Sequence, residues 1–172
     1  MKPDNILLDD SRTRVKVSDF GTARLANLSP DRYTAGCTTA WYRAPEVMLG
    51  DTAYGAAVHA VDMWGAGCVL VEMANLRPAF ACGTEYECMI CVFMALGTPT
   101  PAEWPGVETL PHHHPRLPRW PPRPPSALLR DSAGRRGLAG LVDRVLVLNP
   151  ARRPTALMAL RDGYFAGGGP EG

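Results

Sequence analysis

Lys2-Pro3-Asp4-Asn5-Ile6-Leu7-Leu8 and Val15-Lys16-Val17-Ser18-Asp19-Phe20-Gly21 open the chain, and their reading decides the fold. Ile6-Leu7-Leu8 and Val15-Lys16-Val17 are short β-prone runs. Asp9-Asp10-Ser11 supplies the polar turn between them, so the spacing predicts a small hairpin. Asp19 then falls at the end of the second strand with glycine two residues on. A carboxylate at a strand end beside a flexible loop suits a hard oxygen ligand for Mg²⁺.

Asp19 to Thr39 has neither helical nor strand period and reads as one long loop, a length that in compact domains goes with function or disorder. Beyond it, four helices are expected. Val61 to Leu76 is apolar on most sides, the pattern of a buried helix. Thr84 to Leu96 opens with a Thr84/Glu87 capping box. Leu138 to Leu148 repeats apolar residues at i, i+3, i+4, i+7 and i+8. Thr155 can cap a last helix through Leu157, Met158 and Leu160. The proline-dense segment 99–125 separates the second helix from the third. Pro115, Pro118, Pro121 and Pro124 recur every third residue, as on one edge of a polyproline II helix. Flanked by Arg116, Arg119 and Arg123, they read either as a ligand for an SH3-type groove or as a rigid connector packed on its own domain, and the connector is the favoured reading.

Composition bounds the rest. The chain has 172 residues, 46% hydrophobic, with a formal net charge of +1, which fits one globular domain and gives no global field toward nucleic acid or membrane. No secretory signal is expected at the start, and the most apolar stretch, Ala60 to Ala74, is too short and too charged to span a bilayer. Five cysteines stand at 37, 68, 82, 88 and 91. Free thiols are the default expectation. A zinc site using Cys88-x-x-Cys91 and the His112-His113-His114 run is the less favoured alternative, because a second ligand pair at suitable spacing is missing.

Three motifs stand in one order: Lys2-Pro3-Asp4-Asn5, Asp19-Phe20-Gly21 and Ala44-Pro45-Glu46. Together they resemble the catalytic loop, Mg²⁺-binding loop and activation segment of protein kinases. Thr39-Ala40-Trp41-Tyr42-Arg43-Ala44-Pro45-Glu46, Leu96-Gly97-Thr98-Pro99 with Trp104-Pro105-Gly106-Val107, Pro115 to Trp120 and Asp62 to Cys68 narrow the resemblance to cyclin-dependent Ser/Thr kinases, over Met1 to about Phe165. The fold this implies is mainly α: a kinase C-terminal lobe with a small β-hairpin at its start. Residues 1–166 would be a partial kinase domain and 167–172 a flexible tail.

The resemblance assigns roles residue by residue. Asn5 and Asp19 would hold the Mg²⁺ ions that bridge the phosphates of ATP. Lys2 would steady the transferring γ-phosphoryl group, and Thr39 would hydrogen-bond around Lys2 and the catalytic aspartate. Thr34 falls where activating phosphorylation occurs in the family, with Arg24 as one member of the arginine cluster that receives the phosphate. Arg43 would engage the carbonyl of Thr38, an arrangement that favours proline after the phosphoacceptor. Cys37-Thr38 stands where the family has apolar β-branched residues, a departure at that specificity pocket. Glu46 and Arg153 would form a buried structural ion pair, and Asp62 would accept hydrogen bonds from the catalytic-loop backbone.

The family's aspartate base belongs two residues before Lys2, and Met1 takes the position just after it. The sequence contains no Gly-rich loop and no V-A-I-K-like strand. The expectation is therefore a kinase-derived chain that is inactive alone, with a non-catalytic interaction module or a remnant as alternatives. Protein substrates and a cyclin-type regulatory subunit are the expected partners, without nucleic acid or membrane. The expected location is cytoplasmic or nuclear. Part of the Val61–Leu76 surface is expected to be exposed and apolar, and Asp62 to be half-buried and short of donors.

Overall fold

A computed structural model describes residues 1–22, 40–52 and 58–166. Asp9 organises the first turn. Its carboxylate accepts from the Thr13 and Arg14 N–H groups at 2.9 and 3.1 Å and from the Ser11 hydroxyl at 2.7 Å. That is the turn-forming chemistry expected of a short acidic side chain. The Ser11 hydroxyl, followed by the backbone donors, holds the Asp9 carboxyl below its ordinary range. The turn closes an antiparallel hairpin of β1 (Ile6–Leu8) and β2 (Val15–Val17) with Ile6 opposite Val17 and Leu8 opposite Val15.

Helices make up the rest: α1 (Pro45–Met48), α2 (Val58–Asn75), α3 (Glu85–Leu96), α4 (Arg136–Val145), α5 (Ala156–Ala159) and α6 (Gly163–Ala166). The central helix starts at Val58, three residues before its apolar run. Ala60, Met63, Trp64, Cys68, Val69 and Val71 are all buried in it. Gly67 permits its approach to the end of α4, since a Cβ there would lie 2.6 Å from Leu146 Cδ2. The capping box of α3 forms as read: Glu87 N–H donates to Thr84 Oγ1 at 3.2 Å and Thr84 N–H to Glu87 Oε2 at 3.0 Å. Thr155 caps α5 through the Met158 N–H. The helix read as Leu138 to Leu148 runs instead from Arg136 to Val145, because Leu146 leaves helical geometry as its C-cap.

The proline-dense segment is sewn onto its own domain. Thr98 N–H donates to the Trp120 carbonyl at 3.1 Å, and Thr98 Oγ1 donates to the Pro118 carbonyl at 2.7 Å. Gly97 makes this return possible: its φ is 101°, and a Cβ would meet Pro122 Cα at 2.6 Å. Leu117 is buried and Trp120 packs against the core, so the apolar residues between the prolines face inward while Pro115, Pro118, Pro121 and Pro124 remain exposed. The connector reading fits this arrangement better than a freely presented polyproline ligand. His112 is likewise spent on structure, with Nδ1 3.0 Å from the Met48 carbonyl.

Two expectations need correction. Cys82 and Cys88 are joined in a disulfide, with Cα atoms 5.4 Å apart, whereas Cys68 and Cys91 are free. Folding back at Gly83 into the α3 cap brings two thiols six positions apart within bonding range. No group of three or more potential metal ligands occurs among the described residues. Asp62 is not half-buried: its side chain is 72% exposed and lies 3.4 Å from the Met1 amino nitrogen. Water, rather than the catalytic-loop backbone, therefore solvates most of that carboxylate. The exposed apolar surface expected on part of Val61–Leu76 is present. On α2, Met73 is exposed, followed by Leu76, but the larger set is Leu7, Leu8, Val15, Val17 and Phe20 at the hairpin. No helix among the described residues is long and apolar enough to cross a membrane. The tail 167–172 and most of the long loop lie outside the described residues.

Candidate functional site

The hairpin register builds the site. A tight turn, Pro3–Asn5, precedes β1 and is closed by Asn5 N–H donating to the Lys2 carbonyl at 3.1 Å. The β1–β2 pairing extends one step past Ile6 and Val17, with Ser18 N–H donating to the Asn5 carbonyl at 2.8 Å. Asp19 thus comes out beside Asn5. The Asn5 Nδ2 donates to Asp19 Oδ2 at 3.5 Å across fourteen positions of sequence. Asp19 sits at φ 59°, the left-handed region, which a short polar residue tolerates better than most. A non-glycine residue held there at a strand end is the kind of backbone strain that marks functional sites.

An amide and a carboxylate stand side by side at an accessible edge of the hairpin with the amide nitrogen toward the carboxylate, and turning the amide over would present two hard oxygen donors. Such a pair fits a Mg²⁺ ion, which binds proteins through one or two carboxylates and completes its shell with water or phosphate oxygens. Lys2 is next to this pair in the chain, with Nζ 3.5 Å from Asp4 Oδ2. Asn5, Asp19 and Lys2 therefore share one end of the hairpin. Thr39, Thr34, Arg24, Cys37 and Thr38 lie outside the described residues.

Arg43, Glu46 and Arg153 are each held in an ion pair. Glu46 and Arg153 form a bidentate pair with both distances 2.6 Å, each side chain no more than 1% exposed. Arg153 also donates to the carbonyls of Val147, Ala60 and Leu148 at 2.7, 2.9 and 3.0 Å. All five guanidinium donors are placed, the condition under which a buried charge is tolerated. Its guanidinium also lies 5.0 Å from the Trp64 ring centre. Arg43, nearly buried, pairs with Glu85 on α3 at 2.6 Å.

Sequence reading left Trp41, Tyr42, Glu72 and Glu85 without a role. Trp41 Nε1 donates to the Cys82 carbonyl at 2.6 Å, and Tyr42 Oη donates to Glu72 Oε2 at 2.7 Å. Both aromatic residues lie inside the W-Y-R-A-P-E run, so the run itself was the available signal. Burial, and then Glu72, push the Tyr42 phenol well above its ordinary value of 10.0. A raised folded pKa means the tyrosine's contribution is intact below pH 10.0 and is lost as pH rises past it. The melting temperature of the wild type is expected to fall more steeply above pH 10 than that of Tyr42→Phe. Parallel slopes in thermal melts would remove Tyr42 from the account.

Residues 1–165 match the protein kinase domain. Over 167 residues, 96% of the chain, the sequence is 43% identical to "Cell division control protein 2 homolog 2" of Trypanosoma brucei brucei. It is 38% identical over the same length to "Cyclin-dependent kinase B2-1" of Arabidopsis thaliana. The alignments cover 46% and 51% of those two proteins, so the chain spans about half the length of the curated relatives it matches. With its ordered motifs, the adjacent Asn5 and Asp19, and a domain match over nearly its whole length, the chain belongs to the protein kinase family.

Proposed function

We propose that these 172 residues are the C-terminal lobe of a cyclin-dependent-type Ser/Thr kinase and carry the metal-and-phosphate half of its site. The observation that carries this reading is the hairpin register that sets Asn5 against Asp19. Bound Mg²⁺ would neutralise charge on the ATP phosphates. Asn5 and Asp19 would hold it, and Lys2 would place a compact positive charge by the γ-phosphoryl group. Thr39 would orient Lys2. Arg43, held by Glu85, would act with Cys37 and Thr38 on the residue after the phosphoacceptor, giving preference for proline. Thr34 would take an activating phosphate, received in part by Arg24.

The nucleotide lid, the N-lobe lysine and the aspartate base are absent from the 172 residues. On this reading the residues alone do not transfer phosphate, and a cyclin-type subunit binds through the other half of the domain. Substrates are protein serines and threonines, and the location is cytoplasmic or nuclear. A second reading, a non-catalytic lobe that docks on partners, draws support from the exposed Leu7, Leu8, Val15, Val17 and Phe20.

Reading the transcript 5′ of the Met1 codon separates the two. An in-frame His-Arg-Asp directly before Met1, with a Gly-rich loop further upstream, is the expected result. In-frame stop codons there would leave the docking reading and overturn the enzyme.

A further inference from the structure

The Cys82–Cys88 disulfide belongs to neither the metal site nor the Glu46–Arg153 pair. It lies where the segment between α2 and α3 meets the start of the W-Y-R-A-P-E run. Phe80 stacks on Trp64 with ring centres 5.9 Å apart and fixes the segment on one side. Two residues later, the Cys82 carbonyl receives the Trp41 indole N–H at 2.6 Å. Glu87 Oε2 accepts from Gly83 N–H at 2.8 Å and from Thr84 N–H at 3.0 Å. The cap is thus one of two tethers on the turn: it keeps the two sulfurs within reach when they are unbonded, and the disulfide adds the second hold on the Cys82–Gly83 peptide. The two residues differ in exposure: Cys88 is fully buried and Cys82 is partly exposed.

We infer that Cys82 and Cys88 form a reversible thiol–disulfide clasp that sets how firmly Trp41 is docked on the segment leading into α3. The partners are low-molecular-weight thiols and disulfides of the glutathione type. Opening begins with an external thiolate attacking the sulfur of Cys82, the more exposed residue. The S–S bond breaks, a mixed disulfide forms on Cys82, and Cys88 leaves as a thiolate that takes a proton from water. A second external thiolate attacks the outer sulfur of the mixed disulfide and releases Cys82, which is also protonated. The sum is protein disulfide plus two thiols giving protein dithiol plus one small disulfide, and closing is the reverse.

The consequence is local. In the dithiol form the capping box still starts α3, and the Arg43–Glu85 pair is untouched because Glu85 sits in the helix. What loosens is the Cys82 carbonyl, hence the Trp41 hydrogen bond. The clasp thus acts on the run that carries Arg43, and its existence does not depend on whether the chain transfers phosphate.

The test uses the whole chain carrying Cys91→Ser, equilibrated with oxidised or reduced glutathione. Cleavage after glutamate separates Cys82 from Cys88 at Glu85 and Glu87, so a linked peptide pair in the oxidised sample reports the bond by mass. The Trp41 indole N–H, assigned with Trp41→Phe, is then followed by ¹⁵N NMR. Its exchange with water is expected to rise on the order of tenfold on reduction, as a local opening would give, with Trp104 unchanged. Cys82→Ser, at the more exposed residue, is expected to reproduce the reduced spectrum in both buffers. Wild-type protein opened by a phosphine reductant serves the same purpose if that variant does not fold. Absence of the linked pair under oxidised glutathione would overturn the clasp. A Trp41 signal identical in both states would overturn its coupling to the W-Y-R-A-P-E run.

Discussion

Arg153→Ala is expected to lower the melting temperature by roughly 10 °C, the shift that a loss of about 3–5 kcal/mol gives a domain of this size. The loss does not measure the worth of the ion pair. It is the cost of leaving Glu46 charged and sealed from water, with the carbonyls of Ala60, Val147 and Leu148 deprived of a donor. Arg153→Lys should recover less than half of it, because an ammonium cannot present a five-donor fork. Removing both charges, with Glu46→Leu and Arg153→Met, should cost less than Arg153→Ala alone, since no charge is then stranded. Thermal melts read all three, and an unchanged curve for Arg153→Ala would contradict the pairing.

Asp19→Ala is expected to weaken divalent-cation binding by more than about a hundredfold, since even second-shell partners of a metal are worth 10- to 100-fold. Two effects act together. The variant removes the only carboxylate paired with Asn5 among the described residues, and it leaves a β-carbon at φ 59° without the polar side chain that makes this conformation tolerable. Asp19→Gly separates them: it relieves the backbone but also lacks the carboxylate, so its cation binding should be equally lost while its melting temperature is kept. Titration with Mn²⁺, followed by the free-ion EPR signal, measures the affinity. Undiminished binding in Asp19→Gly would remove Asp19 from the site.

Much of the fold is legible in the residues themselves. The hairpin was legible because turn chemistry at Asp9 and alternation in two short runs are local signals. The α3 cap was legible because Thr84 and Glu87 stand three residues apart. Glu46 and Arg153, 107 positions apart, were paired only through the family resemblance, since no local pattern carries such a contact. The disulfide is not legible for a related reason: the pairing comes from the fold-back at Gly83, which cysteine spacing alone does not encode. The exposure of Asp62 is not legible either, since no local pattern reports how much of a helix-borne carboxylate water reaches.

We propose that Asn5 and Asp19 form one cation site at the end of the hairpin. Paramagnetic broadening by Mn²⁺ in the presence of ATP tests it most directly. The Asn5 side-chain amide and the Gly21 backbone amide are expected to broaden first, and both to stay sharp in Asp19→Gly. Broadening centred on the exposed acidic turn at Asp9 and Asp10, with Asn5 and Gly21 unaffected, would contradict it.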